Sequence, residues 1–201
     1  MTTEDINLAA ESVAEQIAAS MKGLARNLGT KAVYVIALVV SDDFATVCKA
    51  VNTEEHYLAS EGGSVSRWQP TEWLENGMDL DVDVLNERLG EPTYQTDPEL
   101  TKSRPTKQAV WLIALIDGLR LARTAGHLNW AGLPIVAFCT IQDSGLAKWC
   151  ALESARLVNP ADLMEKISKD FADGWAGWDS DEESADVQAA YDAIRRSYMV
   201  S

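Results

Sequence analysis

The sequence predicts an α+β fold, in which an antiparallel or mixed β-sheet is packed by helices. Three observations support this: an amphipathic stretch at the start, a pair of β-rich stretches after it, and a long apolar stretch in the second half. With 201 residues, 47% of them hydrophobic, the chain can bury a sizeable core. We expect one domain over residues 1–201, with an N-terminal helix, a long central buried helix and C-terminal helices packed on the sheet.

The first third of the chain predicts a helix followed by a β-hairpin. Over residues 4–28, apolar side chains recur at spacings of three, four and seven, and Gly29 provides a stop. The stretch "KAVYVIALVV" is β-branched and aromatic, "SDDF" is typical of a turn, and "ATVCKAV" fits a paired second strand. These patterns predict a β-hairpin over residues 32–51.

The next stretch predicts two short helices around a glycine pair. Asn52 suits an N-cap, and Glu55 three residues later completes a capping box. The helix "TEEHYLAS" would then end at the glycines 62–63, "SVSRW" could be a brief strand, and Pro70 would start the helix "PTEWLEN", ended by Gly77.

The second half predicts mainly helices around one further strand. A helix is expected from about Asp83, a proline-rich surface loop over 91–106, and a long buried helix over 106–125. "LPIVAFCTIQD" reads as a core strand, and helical patterns follow it on both sides of Pro160. The acidic C-terminal segment 170–201 retains helix-forming residues and could lie at the periphery.

The charge of the chain favours a basic partner. Thirty-one acidic and 17 basic residues give a net charge of −14, which disfavours binding to nucleic acid and to anionic membranes. The longest apolar run, residues 32–40, is far shorter than the roughly 20 residues of a membrane-spanning helix. The acidic N-terminus and three cysteines without CxxC spacing predict a cytoplasmic protein with reduced thiols.

Catalytic signatures are weak in this sequence. It contains no GxSxG, GxxxxGK[ST], GxGxxG or HExxH motif, and its histidines, His56 and His127, are far apart in sequence. Asp79, Asp81 and Asp83 alternate, so on a strand their carboxylates would share one face and could hold Mg²⁺ or Ca²⁺. Asp81 or Asp83 as an N-cap explains at least one of these acids without a metal.

The seven tryptophans fall into two groups. Trp111 and Trp149 lie in apolar helical stretches and are expected in the core. Trp175 and Trp178 lie among glycines and acids, in "DGWAGWDSDEES". They could form an exposed pair that binds a basic protein, or they could dock the C-terminal segment onto the core.

Short motifs of the sequence are similar to those of one bacterial family. A strand hairpin, then "AVNTEEHYL", "RWQPTEWLENG" and a late "VNP" resemble the uncharacterised DUF4303 family over most of the chain. The resemblance implies a small bacterial cytoplasmic protein without an established activity, some of whose relatives occur near toxin–immunity genes. From its own residues, the stretch 48–77 is expected to serve mainly the fold, with Trp68 and Trp73 clamping short helices to the sheet.

Our leading hypothesis is a non-catalytic protein-interaction module, as in an immunity protein that neutralises a basic or nucleic-acid-directed bacterial toxin. We expect no cofactor, and the sequence leaves the oligomeric state open. The alternatives are a metal-dependent hydrolase that uses Asp79, Asp81 and Asp83, and a housekeeping subunit of a homo-oligomer. The candidate partner-binding residues are Asp79, Asp81, Asp83, Trp175, Trp178, Asp179, Asp181, Glu182 and Glu183.

Overall fold

A computed structural model describes residues 2–60, 67–70, 73, 75–91, 98–176 and 182–198. It confirms the α+β fold class, with the N-terminal helix, the long central helix and the C-terminal helices. The helices are α1 (Thr3–Leu28), α2 (Glu54–Ala59), α3 (Asp83–Leu89), α4 (Pro98–Thr124), α5 (Ala147–Val158), α6 (Ala161–Asp173) and α7 (Glu182–Tyr198). The strands are β1 (Val33–Val40), β2 (Val47–Thr53), β3 (Glu75–Asp79), β4 (Asn129–Trp130), β5 (Leu133–Pro134) and β6 (Val136–Ile141).

The main sheet is mixed and has the strand order β3-β2-β1-β6. β1 pairs with β2 and β2 with β3 in antiparallel fashion, whereas β1 and β6 are parallel. The predicted hairpin is therefore confirmed, although β2 extends to Thr53. β4 and β5 form a separate small hairpin.

Helices pack on one face of this sheet, and the larger hydrophobic core lies between them and the sheet. Side chains of β1 such as Ile36 and Leu38 pack there with apolar residues of α1 and α4. Val187 and Tyr191 of α7 belong to the same core. In the middle of α4, residues 109–116 are fully buried, which confirms the predicted central helix.

Aromatic side chains form a second, smaller core on the opposite face. Phe138 of β6 makes edge-to-face contacts with Trp73, Phe171 and Trp175, and Phe171 also contacts Trp68. Trp68 and Trp73 pack against the sheet as expected, but the short helix that Trp73 was expected to hold there is not confirmed, because residues 75 and 76 belong to β3. This core brings Trp68 against α6.

α5 covers the free edge of β6. Ser154 exchanges hydrogen bonds with the backbone N–H and C=O of Cys139, and Asn159 does the same with Ala137. These are the outward groups of an edge strand, which would otherwise be open to pairing with another chain. The "VNP" asparagine therefore has a structural role.

Several sequence-based expectations about local structure were wrong. Residues 75–77 lie in the edge strand β3 rather than a helix; Gly77 is skipped in the pairing with β2 and forms a bulge. The helix α4 starts at Pro98, inside the predicted loop 91–106, and it includes Pro105. Burial of the α4 segment beyond Pro105 overrides the local preference of proline for a helix start.

Two further boundaries differ from the prediction. The N-cap of α2 is Thr53, not Asn52, and the Asn52 side chain instead donates a hydrogen bond to the Tyr34 hydroxyl from within β2. Glu55 accepts hydrogen bonds from the Ala32 N–H rather than completing a capping box.

Two expected strands also differ from the structure. The strand expected over 133–143 is divided between β5 and β6, and Arg67 and Trp68, at the end of the expected strand "SVSRW", lie in a bend.

Candidate functional site

The three alternating aspartates do not share one strand. Asp79 ends β3, where its backbone pairs with Cys48, and its side chain lies outside the described residues. Asp81 is in the following loop and Asp83 begins α3, and both side chains are exposed. The expected single carboxylate face is therefore wrong, because the strand ends before the second acid.

Asp81 organises the start of α3. Its carboxylate Oδ1 accepts a hydrogen bond from the Asp83 backbone N–H at 3.1 Å, which satisfies one donor of the first turn. Within the described residues, no group of three or more His, Cys, Asp or Glu side chains is placed to hold a metal ion. The Asp79 side chain lies outside the described residues, so the metal-dependent hydrolase stays a sequence-based prediction.

The C-terminal candidates have different positions. Trp175 is only 2% exposed and packs against Phe138, so it docks its segment onto the core and cannot form an exposed pair. Trp178, Asp179 and Asp181 lie outside the described residues. Glu182 and Glu183 are the first residues of α7, and their side chains also lie outside the description.

Two of the three thiols, those of Cys139 and Cys150, are unsuited to nucleophilic chemistry. Cys139 and Cys150 are both buried, and no disulfide involves the three cysteines. A hydrogen bond with Cys139, together with burial, raises the pKa of the Cys150 thiol well above its usual value. Because the thiolate is the reactive form, these cysteines are core residues.

Exposed acidic residues lie on two neighbouring parts of the chain. We call residues 3–16 of α1 together with residues 79–91 the acidic face; it contains four acids in the first range and five in the second, against Arg88 alone. The exposed carboxylates among them are Glu4, Glu11, Glu15, Asp81, Asp83, Glu87 and Glu91.

Hydrogen bonds and charge interactions hold the two parts of the acidic face together. The Gln16 side-chain amide donates to the Asp81 carbonyl at 3.2 Å and accepts from the Asp81 N–H at 2.7 Å. Hydrogen bonds from Thr2 lower the pKa of Asp5, and the positive charge of Arg88 in α3 contributes a smaller lowering.

A second feature is an open groove at the amino-terminal ends of the parallel strands β1 and β6. It encloses about 870 Å³ and is lined by residues 29–34, α2, Arg67 and Trp68, the β4–β5 hairpin and α6. Ligand sites of open α/β sheets usually lie at the opposite, carboxyl ends of the strands. The sequence analysis did not predict this groove.

Hydrogen bonds link the walls of the groove. The Trp130 indole donates to the Lys31 carbonyl at 2.7 Å, and the Trp68 indole donates to the Asp170 carboxylate at 2.8 Å. The Tyr34 hydroxyl donates to the Arg67 carbonyl at 3.0 Å. Burial raises the pKa of Tyr34 above its ordinary value, so this hydroxyl keeps its proton at neutral pH.

Arg67 lies at one side of the groove, where aromatic rings contact its guanidinium group. Its guanidinium carbon is 4.4 Å from the centre of the Tyr34 ring and 4.7 Å from that of Tyr57. It also forms an ion pair with Glu54. Cation–π contacts and the ion pair together fix its orientation.

Four of the groove residues come from a stretch that was expected to serve mainly the fold. Glu54, Tyr57, Arg67 and Trp68 all belong to residues 48–77, and no local motif marks them as a site. These four residues form one side of the groove, and α6 and the β4–β5 hairpin, which are far away in sequence, form the rest of it. Among the lining residues that the structure describes there is no histidine, cysteine or serine.

Comparison of the chain with protein-family models, with curated proteins and with solved structures finds no match. In the described part of the chain, no helix is both long enough and apolar enough to cross a membrane.

Proposed function

We propose that this chain is a non-catalytic protein-interaction module that binds a basic partner through its acidic face. An immunity protein that neutralises a basic or nucleic-acid-directed bacterial toxin would act in this way. The observation that supports the proposal best is the concentration of exposed carboxylates on α1 and on residues 81–91, with α1 hydrogen-bonded to the loop that precedes α3.

The exposed side of α1 has the composition of a protein-binding surface. Glu4, Leu8, Glu11 and Glu15 are spaced by four, three and four residues, so they share one stripe. Leu8 is 37% exposed in the middle of this stripe. An apolar side chain surrounded by charges can provide contact energy, while the carboxylates attract and orient a basic partner.

Hydrogen bonds order the loop between β3 and α3. The Gln16–Asp81 hydrogen bonds and the Asp81–Asp83 hydrogen bond fix the loop that presents the acids. A surface that is ordered before binding loses less conformational entropy when the partner binds. The acidic face therefore fits the neutralisation of a fixed basic surface, such as the phosphate-binding groove of a nuclease.

We also propose a second contact region at the C-terminal acids and a cytoplasmic location for the protein. Asp179, Asp181, Glu182 and Glu183, together with Trp178, remain candidates for a second contact region, whereas Trp175 is excluded by its burial. The resemblance to the DUF4303 family supports a bacterial cytoplasmic protein as the setting.

The test is recovery of a partner from the native host with tagged protein at low salt, followed by mass spectrometry. The acidic-face variant carries Glu4→Gln, Glu11→Gln, Asp81→Asn and Asp83→Asn; asparagine at 81 keeps an acceptor for the cap. A control variant removes the same number of exposed charges elsewhere, with Glu165→Gln, Asp173→Asn, Asp186→Asn and Asp192→Asn. A third variant neutralises Asp179, Asp181, Glu182 and Glu183.

We expect the unchanged protein and the control variant to recover one basic protein at near-equal stoichiometry, and the acidic-face variant to recover much less. Equal recovery by the acidic-face and control variants would show that net charge alone attracts the partner. Loss with the third variant alone would move the interface to the C-terminal segment.

A further inference from the structure

We propose that the groove binds a small carboxylate carried on an apolar body, independently of the acidic face. Its volume of about 870 Å³ lies within the range of roughly 300–1,000 Å³ found for small-molecule sites. The bonds between its walls indicate that it exists before a ligand arrives.

The apolar part of the ligand would contact the β4–β5 hairpin and α6. Leu133 of the hairpin is 70% exposed at the groove, next to Pro134, which is also exposed. Leu163 and Ile167 of α6 are half-buried on the facing wall. Each of these side chains would lose contact with water when an apolar group fills the space between them.

The charge of the groove is opposite to that of the whole chain. Lys31, Arg67 and Lys166 line it against Glu54 and Asp170, although the complete sequence has 17 basic and 31 acidic residues. Basic residues therefore outnumber acidic ones here, in a protein of net charge −14. This local excess selects an anionic ligand over a cationic one.

Arg67 is suited to hold the carboxylate. A guanidinium group has five N–H donors, and in the described part of the chain one of them donates to a protein group, the Glu54 carboxylate. The aromatic contacts with Tyr34, Tyr57 and Trp68 hold its plane in place. A fixed guanidinium with donors available is the preferred partner of a carboxylate.

The test uses three probes that have the same alkyl chain and different head groups: octanoate, 1-octanol and octylammonium. Binding is measured by NMR on the ¹⁵N-labelled full chain at about 0.15 M salt, where screening limits long-range repulsion by the acidic surface. Octanoate is expected to shift the indole N–H signals of Trp68 and Trp130. The Trp111 indole, which donates to the Gly90 carbonyl, is the internal control.

Matched variants locate the site. Lys166→Glu should weaken octanoate binding about fivefold, because an attractive exposed charge becomes a repulsive one. Lys169→Glu, on the same helix but outside the groove, should leave it unchanged. Leu133→Ser should weaken the binding of all three probes, whereas Leu121→Ser, at another exposed leucine, should leave their binding unchanged.

Three results would overturn the proposal: octanoate leaves the Trp68 and Trp130 signals unchanged, octylammonium binds as tightly as octanoate, or Lys169→Glu weakens binding as much as Lys166→Glu. None of these results depends on the acidic face or on its partner.

Discussion

Asp117 of α4 lies between two arginines and is itself almost fully buried. Its Oδ1 accepts hydrogen bonds from Arg120, one turn later, and from Arg195 of α7. Its Oδ2 has no hydrogen-bond partner among the described residues. The Asp117–Arg195 pair therefore attaches α7 to α4 at a site where water cannot replace a lost partner.

Replacing Arg195 with methionine should lower the free energy of unfolding by about 2–3 kcal/mol, because it leaves a buried carboxylate with Arg120 alone. The double variant Asp117→Leu, Arg195→Met should be closer to the unchanged protein, since well-packed apolar residues often replace a buried ion pair without loss. Urea unfolding measures both. A double variant at least as unstable as Arg195→Met alone would contradict this account.

Single residues were the hardest level to predict from sequence. The burial of Trp111 was predicted correctly, because it lies in an uninterrupted apolar run. The alternatives for Trp175 stayed open, because its neighbours in sequence are polar and its packing partner, Phe138, is 37 positions away. Arg67 gave no signal at all, because its aromatic partners Tyr34 and Tyr57 belong to other elements.

At the level of elements, the packing of α1 on α4 depends on a small residue. A Cβ atom at Gly118 of α4 would lie 2.5 Å from Cγ1 of Val13 and 3.0 Å from the carbonyl oxygen of Ala10, both in α1. The two helices can approach this closely only because residue 118 lacks a side chain. Gly23, inside α1, has no atom within 4 Å of its corresponding position.

These two glycines make a matched pair of substitutions. Gly118→Ala should destabilise the protein by about 1–3 kcal/mol, because α1 must move away from α4. Gly23→Ala should stabilise it by roughly 0.5–1 kcal/mol, because alanine is the better helix former and meets no neighbour. Thermal or urea unfolding measures the change in the free energy of unfolding for each substitution. Equal changes for the two substitutions would show that the close approach of α1 to α4 at Gly118 does not limit packing.

Elements with a clear period were predictable, and those held by tertiary contacts were not. The amphipathic period of α1 and the apolar centre of α4 identified both helices. β3 has the unfavourable strand sequence "ENGMD", and it is a strand because the edge of β2 is there to pair with it. The start of α4 was missed because local proline signals point to a loop.

For the whole molecule, the sequence yields the total charge but not its distribution. The value of −14 is read directly from composition. The acidic face arises because α3 packs beside α1, and the groove arises because four separate chain segments meet Arg67 and Trp68 at the ends of β1 and β6. The structure therefore divides the surface into an acidic region and a small region with excess positive charge.

The central claim, binding of a basic partner at the acidic face, is tested most directly by the association rate constant measured with the isolated partner at increasing ionic strength. We expect association to be fast at low salt and to slow about tenfold or more as salt screens the charges. The acidic-face variant should be slower at low salt and converge with the unchanged protein at high salt. An equal rate and salt dependence for both proteins would contradict the claim.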